Sequence, residues 1–454
     1  MIRNITLLLL GLSMSASALP STYYVAVNGT DQNPGTFKQP FATIQEAQQH
    51  VNAGDTVYIR GGNYVLNESQ IARTQGIYSY VTDLTKSGSE NARINYWAYP
   101  GEKPIFNYSN VKPSTRVVAF HVSGSYIHLK GFEVVGVQVT LLNHTQSECF
   151  ENRGSNNIYE QLSMHDGQAI GFYLISGSNN LILNCDAYNN YDYTSEGGKG
   201  GNSDGFGCHG KKGDVNNVFR GCRAWFNSDD GYDCISSFEP VVFENCWAMY
   251  NGYSPAFKSL ADGNGFKAGG YGARAVKDLP NPIPRNSIRF CLAVRNKANG
   301  FYSNHHLSGS DWYNNTAAYN SVNYNMLNRL MDNKTDVPGS GHILRNNLGF
   351  MARNKEVDKL NFDESDVKSN YFTLPVTVDA KDFLSSDEAE LIKPRKADGS
   401  LPDVNFLRLS NNSDLIDAGI SLGFPYKGNK PDLGYQESDQ NEKATRHNDQ
   451  ISGF

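Results

Sequence analysis

The residue types best placed for chemistry lie in three short segments: Asp204-Gly205-Phe206-Gly207, Asp229-Asp230-Gly231-Tyr232-Asp233 and Asn264-Gly265-Phe266-Lys267. Each contains a glycine followed by an aromatic residue. Aligning those pairs makes Asp204, Asp230 and Asn264 equivalent, and likewise Gly207, Asp233 and Lys267. If the segments are neighbouring parallel strands, about 4.8 Å apart, Asp204, Asp229, Asp230 and Asp233 converge on one edge with Lys267 beside them. Carboxylates held so close repel one another, or titrate abnormally, unless a cation neutralises them. Oxygen donors without nearby His or thiolate suit a hard cation, and Ca²⁺ rather than Mg²⁺ because it accepts many irregularly placed carboxylates. A lysine beside such an ion is expected to have a lowered pKa and to act as a general base. An ion that also holds a substrate carboxylate acidifies the proton on the adjacent carbon. The matching reaction is β-elimination on a uronic-acid polymer.

Asp-Gly and Asn-Gly are also ordinary turn sequences, and one copy would mean no more than that. What raises these above turn chemistry is repetition. The Gly-aromatic pair recurs at 171, 205, 231, 265 and 300. A second repeat, Cys or Asn followed by Ala two residues later and Asn five residues later, starts at Cys185, Cys222, Cys246, Cys291 and Asn315. The two series interleave without exception, and an alternating apolar segment such as Leu181-Ile182-Leu183 precedes each copy of the second. The bare interval of 24 residues, from Cys222 to Cys246 and from Cys291 to Asn315, is too short for a propeller blade and lacks a helical period. It predicts a parallel β-helix with three short strands per coil, an all-β solenoid. The glycine- and lysine-rich 197–201 and the glycine- and proline-rich 269–285 are read as insertions that build its binding face. Asn190, Asn227, Asn251, Asn296 and Asn320 are expected to stack as a side-chain ladder.

The ends read differently. Residues 1–18 have a basic start at Arg3, an apolar run and an Ala16-Ser17-Ala18 end, the pattern of a cleaved secretory signal. The mature chain is expected to be exported, extracellular or periplasmic, with no membrane span. In the N-terminal cap, assigned to 19–65, Thr43 and Glu46 have capping-box spacing and Ile44, Ala47 and Val51 share a helical face, so a short helix covers the open end of the solenoid. Residues 350–435 are expected to wrap back over the solenoid as part of one lyase domain spanning 19–435. Residues 436–454 are expected to be disordered. The formal net charge of −6 argues against a nucleic-acid partner. The seven cysteines lack zinc-site spacing; most are read as core residues, with a Cys208–Cys234 disulfide as the alternative.

The segments 204–207, Phe219 to Trp225, Asn227 to Asp233 and Gly263 to Lys267 resemble polysaccharide lyase family nine, which contains secreted pectate lyases, and the resemblance runs from about Tyr23 to Gly434. It implies a right-handed parallel β-helix, Ca²⁺ held by Asp204, Asp229, Asp230 and Asp233, and Lys267 as the base. The implied partner is an acidic plant cell-wall polysaccharide, pectate first and rhamnogalacturonan as the alternative, taken by a monomer. The chain departs from the pectate-lyase pattern at Gly300-Phe301-Tyr302-Ser303-Asn304-His305-His306, where an acid is expected after Gly-Phe. Tyr302, His305 and His306, with Lys211, Lys212, Lys258 and Arg274 on the inserted loops, are the candidate sugar and uronate contacts. Two other readings stand beside this one. A polygalacturonase-type hydrolase would use the acids without a metal and without Lys267, and Cys208-His209-Gly210 weakly resembles that class. A non-catalytic β-helical carbohydrate binder would need no lysine among the acids.

Overall fold

The structure, a computed structural model, describes residues 19–438, so the signal segment 1–18 and residues 439–454 of the polar end lie outside the described residues. The chain winds through three sheets of 12, 10 and 11 strands, parallel except at the edge strand Arg73–Gln75 of the last, which pairs antiparallel. One coil illustrates the path. Asn217–Arg220 joins the twelve-stranded sheet, Arg223–Trp225 the ten-stranded sheet and Tyr232–Asp233 the eleven-stranded sheet, and the next coil repeats the order. The only helix of α type among the described residues is Ile44–His50, whose Thr43 side chain accepts the Glu46 N–H at 3.0 Å and whose buried Ile44 and Ala47 cover the first coil. That cap hides sheet edges which would otherwise pair with another chain.

Both sequence repeats have a physical cause. The aromatics of three Gly-aromatic pairs point inward and stack on the next coil: Phe206 on Tyr232 at 5.1 Å, Tyr232 on Phe266 at 4.5 Å and Phe266 on Phe301 at 5.1 Å. The glycine is required by close approach, because a Cβ on Gly231 would lie 2.7 Å from both Asn251 Nδ2 and the Gly265 carbonyl. The predicted ladder forms. Asn190, Asn227, Asn251 and Asn296 each donate Nδ2 to the next Asn Oδ1, ending on Asn320, at 2.9–3.1 Å. The cysteines occupy a second ladder at the corner between the first two sheets. Cys185, Cys222, Cys246 and Cys291 each direct Sγ at a backbone carbonyl of the preceding coil at 3.3–3.5 Å. Asn315 and Asn347 continue the series, each donating Nδ2 at 2.8 Å to such a carbonyl. All seven cysteines are buried and free, including Cys208 and Cys234, so the disulfide alternative does not form.

The solenoid outlasts the expected boundary near residue 350: Lys355–Asp358 extends the eleven-stranded sheet and Asp366–Lys368 the twelve-stranded one. Alternation is weak in these polar strands, which hid them from the apolar pattern. From Ala380 the chain runs back along the ten-stranded side. Arg295 pairs with Glu388, and Arg395 donates to Asp186 at 2.7 Å and to the Cys185 and Gly221 carbonyls. Gln436 to Ser438, expected to be disordered, are described here; Ser438 is buried and donates its N–H to Asp432 Oδ2 at 2.7 Å.

Candidate active site and metal centre

In the eleven-stranded sheet Gly207 pairs with Asp233, Asp233 with Lys267 and Lys267 with Tyr302. The register is held from beneath by the aromatic stack, so Asp233 and Lys267 face outward at one position of adjacent coils. Lys267 Nζ lies 3.0 Å from Oδ2 of Asp230 and 3.0 Å from Oδ2 of Asp233. Oxygens of Asp204, Asp230 and Asp233 all lie within 4.8 Å of one another. Asp229 is outside that tight group, but its charge is felt by Asp204 and its Oδ1 accepts the Asp262 N–H at 3.1 Å.

The acids are held by hydrogen bonds from the coils on either side. Asp204 Oδ1 accepts the Asp230 N–H at 3.0 Å; Asp230 Oδ1 accepts both the N–H and the Nδ2 of Asn264, at 2.7 and 2.8 Å. Asn264 Oδ1 in turn accepts Asn299 Nδ2 at 2.7 Å. Asn264 is therefore a positioning residue, legible from its place opposite Asp230 in the repeat though it carries no charge. Asp230 Oδ2 is fully buried and accepts from no neutral hydrogen-bond donor; its cationic neighbour is Lys267 Nζ at 3.0 Å, in the place a positive charge is needed. A buried carboxylate oxygen left this way, amid oxygen-only donors, fits a hard cation. Asp204, Asp230 and Asp233, with Asp229 alongside, are the residues that could hold it.

Electrostatics follow from burial. Removal from water, reinforced by the neighbouring Asp229, Asp233 and Asp230, pushes the Asp204 carboxyl well above its usual range; burial and Asp230 do the same to Asp229. Burial lowers Lys267, but the four surrounding aspartates outweigh it and hold the ammonium well above the usual lysine value. The expected lowering belongs to a lysine beside a bound cation, which would offset the charge of these carboxylates. With only carboxylates around it, the lysine itself is the cation of the cluster.

The other expected contacts scatter. His306 is buried, its Nδ1 accepting the Gly270 N–H at 3.2 Å and its Nε2 at 2.9 Å from the Pro284 carbonyl, and burial lowers it to about 4. With both ring nitrogens committed it is a strut beneath the inserted loop, which corrects its assignment as a sugar contact. His305 stays partly exposed, bonds Asp336 at 2.8 Å and packs edge-on to Tyr302 with ring centres 6.0 Å apart. Tyr302, next to Lys267 across the sheet, has its hydroxyl pushed up to about 12, mainly by burial. Lys211, Lys212 and Arg274 are exposed; Arg274 lies over the Phe238 ring at 4.9 Å. Lys258 lines a recess shared with Asp262, one hydrogen bond from Asp229. His209 makes no hydrogen bond to the acids; its Nδ1 is 2.6 Å from the Ile235 carbonyl and its ring packs on Tyr173. No helix among the described residues is long and apolar enough to cross a membrane.

Known proteins share both the fold and this region. Residues 23–347 match the family described as Pel9A-like, right handed beta helix region. Pectate lyase L of Dickeya dadantii (strain 3937) is 33% identical over 420 residues, covering 91% of this chain and 89% of its own length. A solved structure titled "Rhamnogalacturonan lyase" is 48% identical with a TM-score of 0.83, over 86% of this chain and 97% of that one. The crystal structure of pectate lyase Pel9A is 32% identical with a TM-score of 0.74, over 93% and 98%. A family match across most of the solenoid, with relatives aligned over nearly their whole lengths, has one reading: the chain belongs to the Pel9A-like right-handed β-helix family of polysaccharide lyases.

Proposed function

We propose that this chain is a secreted, Ca²⁺-dependent lyase that cleaves a galacturonate-containing pectic backbone by β-elimination, with Lys267 as the base. The observation that carries the reading is Lys267 lodged 3.0 Å from two buried aspartates on the open face of the sheet. Asp204, Asp229, Asp230 and Asp233 would hold the ion. Bound there, Ca²⁺ would draw electron density from a substrate carboxylate and make the neighbouring ring proton more acidic. Lys267 accepts that proton in its neutral form; the C–H electrons become the ring double bond as the glycosidic C–O bond breaks and the leaving oxygen gains a proton. No water is consumed. Tyr302, at the cross-strand position beside Lys267, and His305, packed against Tyr302, face the same side and would orient the sugar. Lys258 would meet a uronate carboxylate.

Between the two pectic backbones, alternating rhamnogalacturonan is favoured. Support comes from 48% identity and a TM-score of 0.83 to a rhamnogalacturonan lyase, against 32% and 0.74 to Pel9A. It also comes from the Tyr302 to His306 segment, where the pectate-lyase acid is missing. Hydrolysis fits less well: neither its inverting nor its retaining form uses a lysine among the carboxyl groups, whereas Lys267 Nζ lies 3.0 Å from both Asp230 and Asp233. The test is ultraviolet absorbance of an unsaturated uronate, measured on polygalacturonate and rhamnogalacturonan with Ca²⁺ and with a chelator. Reducing ends without that absorbance would mean hydrolysis, and neither signal would mean binding alone.

A further inference from the structure

Two recesses adjoin the acidic cluster on the side where the ten-stranded sheet turns into the eleven-stranded one. The larger, about 560 Å³, includes Lys199, Lys258, Lys297 and Asp262 in its wall. The smaller, about 340 Å³, is lined by Tyr191, Tyr193, Phe226, Pro255, Leu260 and amide side chains. Tyr191 and Leu260 belong to both, so the recesses are contiguous. The larger joins the cluster directly, since the Asp262 N–H donates to Asp229 Oδ1 at 3.1 Å and the Ala261 N–H to the Ser228 carbonyl at 3.0 Å.

Their chemistry is opposite. In the larger recess Lys297 donates to the Leu260 and Ala261 carbonyls, and Glu196 is taken up by Asn202 and His144. Lys199 and Lys258 remain, both exposed, with Lys199 close enough to Glu196 for its charge to be felt there. Two solvent-facing ammonium groups fit a carboxylate. The smaller recess has no basic residue in its lining, and its one charged member, Asp166, is already paired with His165 at 2.8 Å. A carboxylate entering it would lose water without gaining a free cation. Its rim carries Tyr193, 59% exposed, whose ring stands edge-on to Tyr191 at 5.9 Å. A large exposed aromatic beside an apolar hollow is a platform for an apolar sugar face.

We infer that the two recesses are consecutive sugar sites of opposite selectivity: the lysine-lined one takes a uronate, and the Tyr193-rimmed one takes an uncharged 6-deoxyhexose, whose methyl group enters the hollow. The inference rests on the proposed lyase reading and deepens it, assigning the preference for an alternating backbone to specific side chains. A uniform polygalacturonate would have to place a carboxylate in a recess whose lining offers no cation.

The experiment compares the full mature chain with Lys258→Ala and Tyr193→Ala, both exposed changes, on oligosaccharides of rhamnogalacturonan and of polygalacturonate. KM is read from unsaturated-uronate absorbance, and direct binding to the same oligosaccharides by calorimetry. Lys258→Ala is expected to raise KM on both polymers about tenfold. Tyr193→Ala is expected to raise KM on rhamnogalacturonan about tenfold and to shrink the selectivity ratio between the polymers at least threefold. Equal shifts on both polymers in Tyr193→Ala, or none, overturn the assignment. If no unsaturated product forms from either polymer, the lyase reading fails by itself. The calorimetric arm still decides the sites: selective loss of rhamnogalacturonan binding in Tyr193→Ala supports them, and unchanged binding overturns them.

Discussion

Asp233 and Lys267 are direct cross-strand partners in adjacent coils, and the Lys267 Nζ sits 3.0 Å from Asp233 Oδ2. Nothing in that pairing depends on a flexible loop. The stacked rings of Tyr232 and Phe266, parallel and 4.5 Å apart, lock the position from the core side. Lys267 and the acidic cluster are thus carried by paired strands of the sheet, which is what a preorganised site requires.

Replacing Lys267 by Ala separates the base from the acids. Turnover is expected to fall by at least about 10²–10⁴, the usual contribution of a general base. Ca²⁺ affinity should hold or rise, because the variant loses the cation that competes for Asp230 and Asp233. Calorimetric titration with Ca²⁺ alone checks this; weakened binding, or substantial residual turnover, would remove Lys267 from its role. In the unchanged enzyme, rates should climb with pH as the lysine loses its proton.

Proton linkage gives the acids their own signature. Asp204 and Asp229 are held above the ordinary carboxylate range, both first by burial, then Asp204 by Asp229, Asp233 and Asp230, and Asp229 by Asp230. A raised folded pKa means the folded state binds the proton more tightly than the unfolded chain. Stability of the chelated protein therefore declines as pH rises from about 4, the unfolded value, through the raised folded ones. Lys267 is charged in both states across this window and adds no slope there. Glu148, buried beside Glu151 and also raised, adds a slope of the same sign whether or not Ca²⁺ is present. The Tm difference between Ca²⁺-loaded and chelated protein should consequently grow from near zero at about pH 4 to a plateau above the raised folded values, where the added stability is about 2.7 kcal/mol at an ion concentration 100 times Kd. A pH-independent difference would count against the cluster as the ion site.

How far the sequence alone reaches is clear from particular residues. The coil register, the Asn ladder and the Asp233–Lys267 pairing were readable because each coil repeats one pattern, and parallel stacking turns an offset in sequence into a neighbour in space. His306 was not readable: whether a loop histidine meets solvent depends on Pro284, whose carbonyl arrives from the inserted loop. The two recesses were likewise hidden, since Gln138 and Ser254 reach the same wall from separate coils. The direction of the Lys267 shift follows from which charges surround it, carboxylates alone or carboxylates with an ion, and spacing by itself does not fix that.

The Asn ladder should behave as a structural spine. Asn251 Oδ1 accepts both the N–H and the Nδ2 of Asn227, and Asn251 Nδ2 donates to the Ala224 carbonyl at 3.1 Å, all in the buried interior. Asn251→Ala leaves these groups without partners in a place water does not reach. At about 1–3 kcal/mol for each buried group left unsatisfied, a loss of about 3 kcal/mol is expected, larger than for any exposed substitution. Urea unfolding checks it through a lowered midpoint at constant slope; a change under about 1 kcal/mol would mean the ladder is ornamental.

Gly207 tests the floor of the site. It pairs with Asp233, and the space its missing side chain leaves is filled by Tyr173 and His209, each only 2.8 Å from where a Cβ would lie. The backbone there is not left-handed, so alanine meets a steric problem and no conformational one. The His209 ring has to rotate, losing its 2.6 Å contact with the Ile235 carbonyl, and Ile235 is itself tied to Asp233, whose Oδ1 accepts its N–H at 2.7 Å. The displacement thus passes to a member of the acidic cluster through two hydrogen bonds. Gly207→Ala is expected to cost about 1–3 kcal/mol of stability, the usual range for overpacking, and to weaken Ca²⁺ binding severalfold. Adding His209→Ala in the same chain should restore much of both, because it empties the space the new methyl needs. Measured Ca²⁺ affinity and Tm for the single and double variants form the cycle that checks this; strictly additive effects would show that Gly207 and His209 do not share that space.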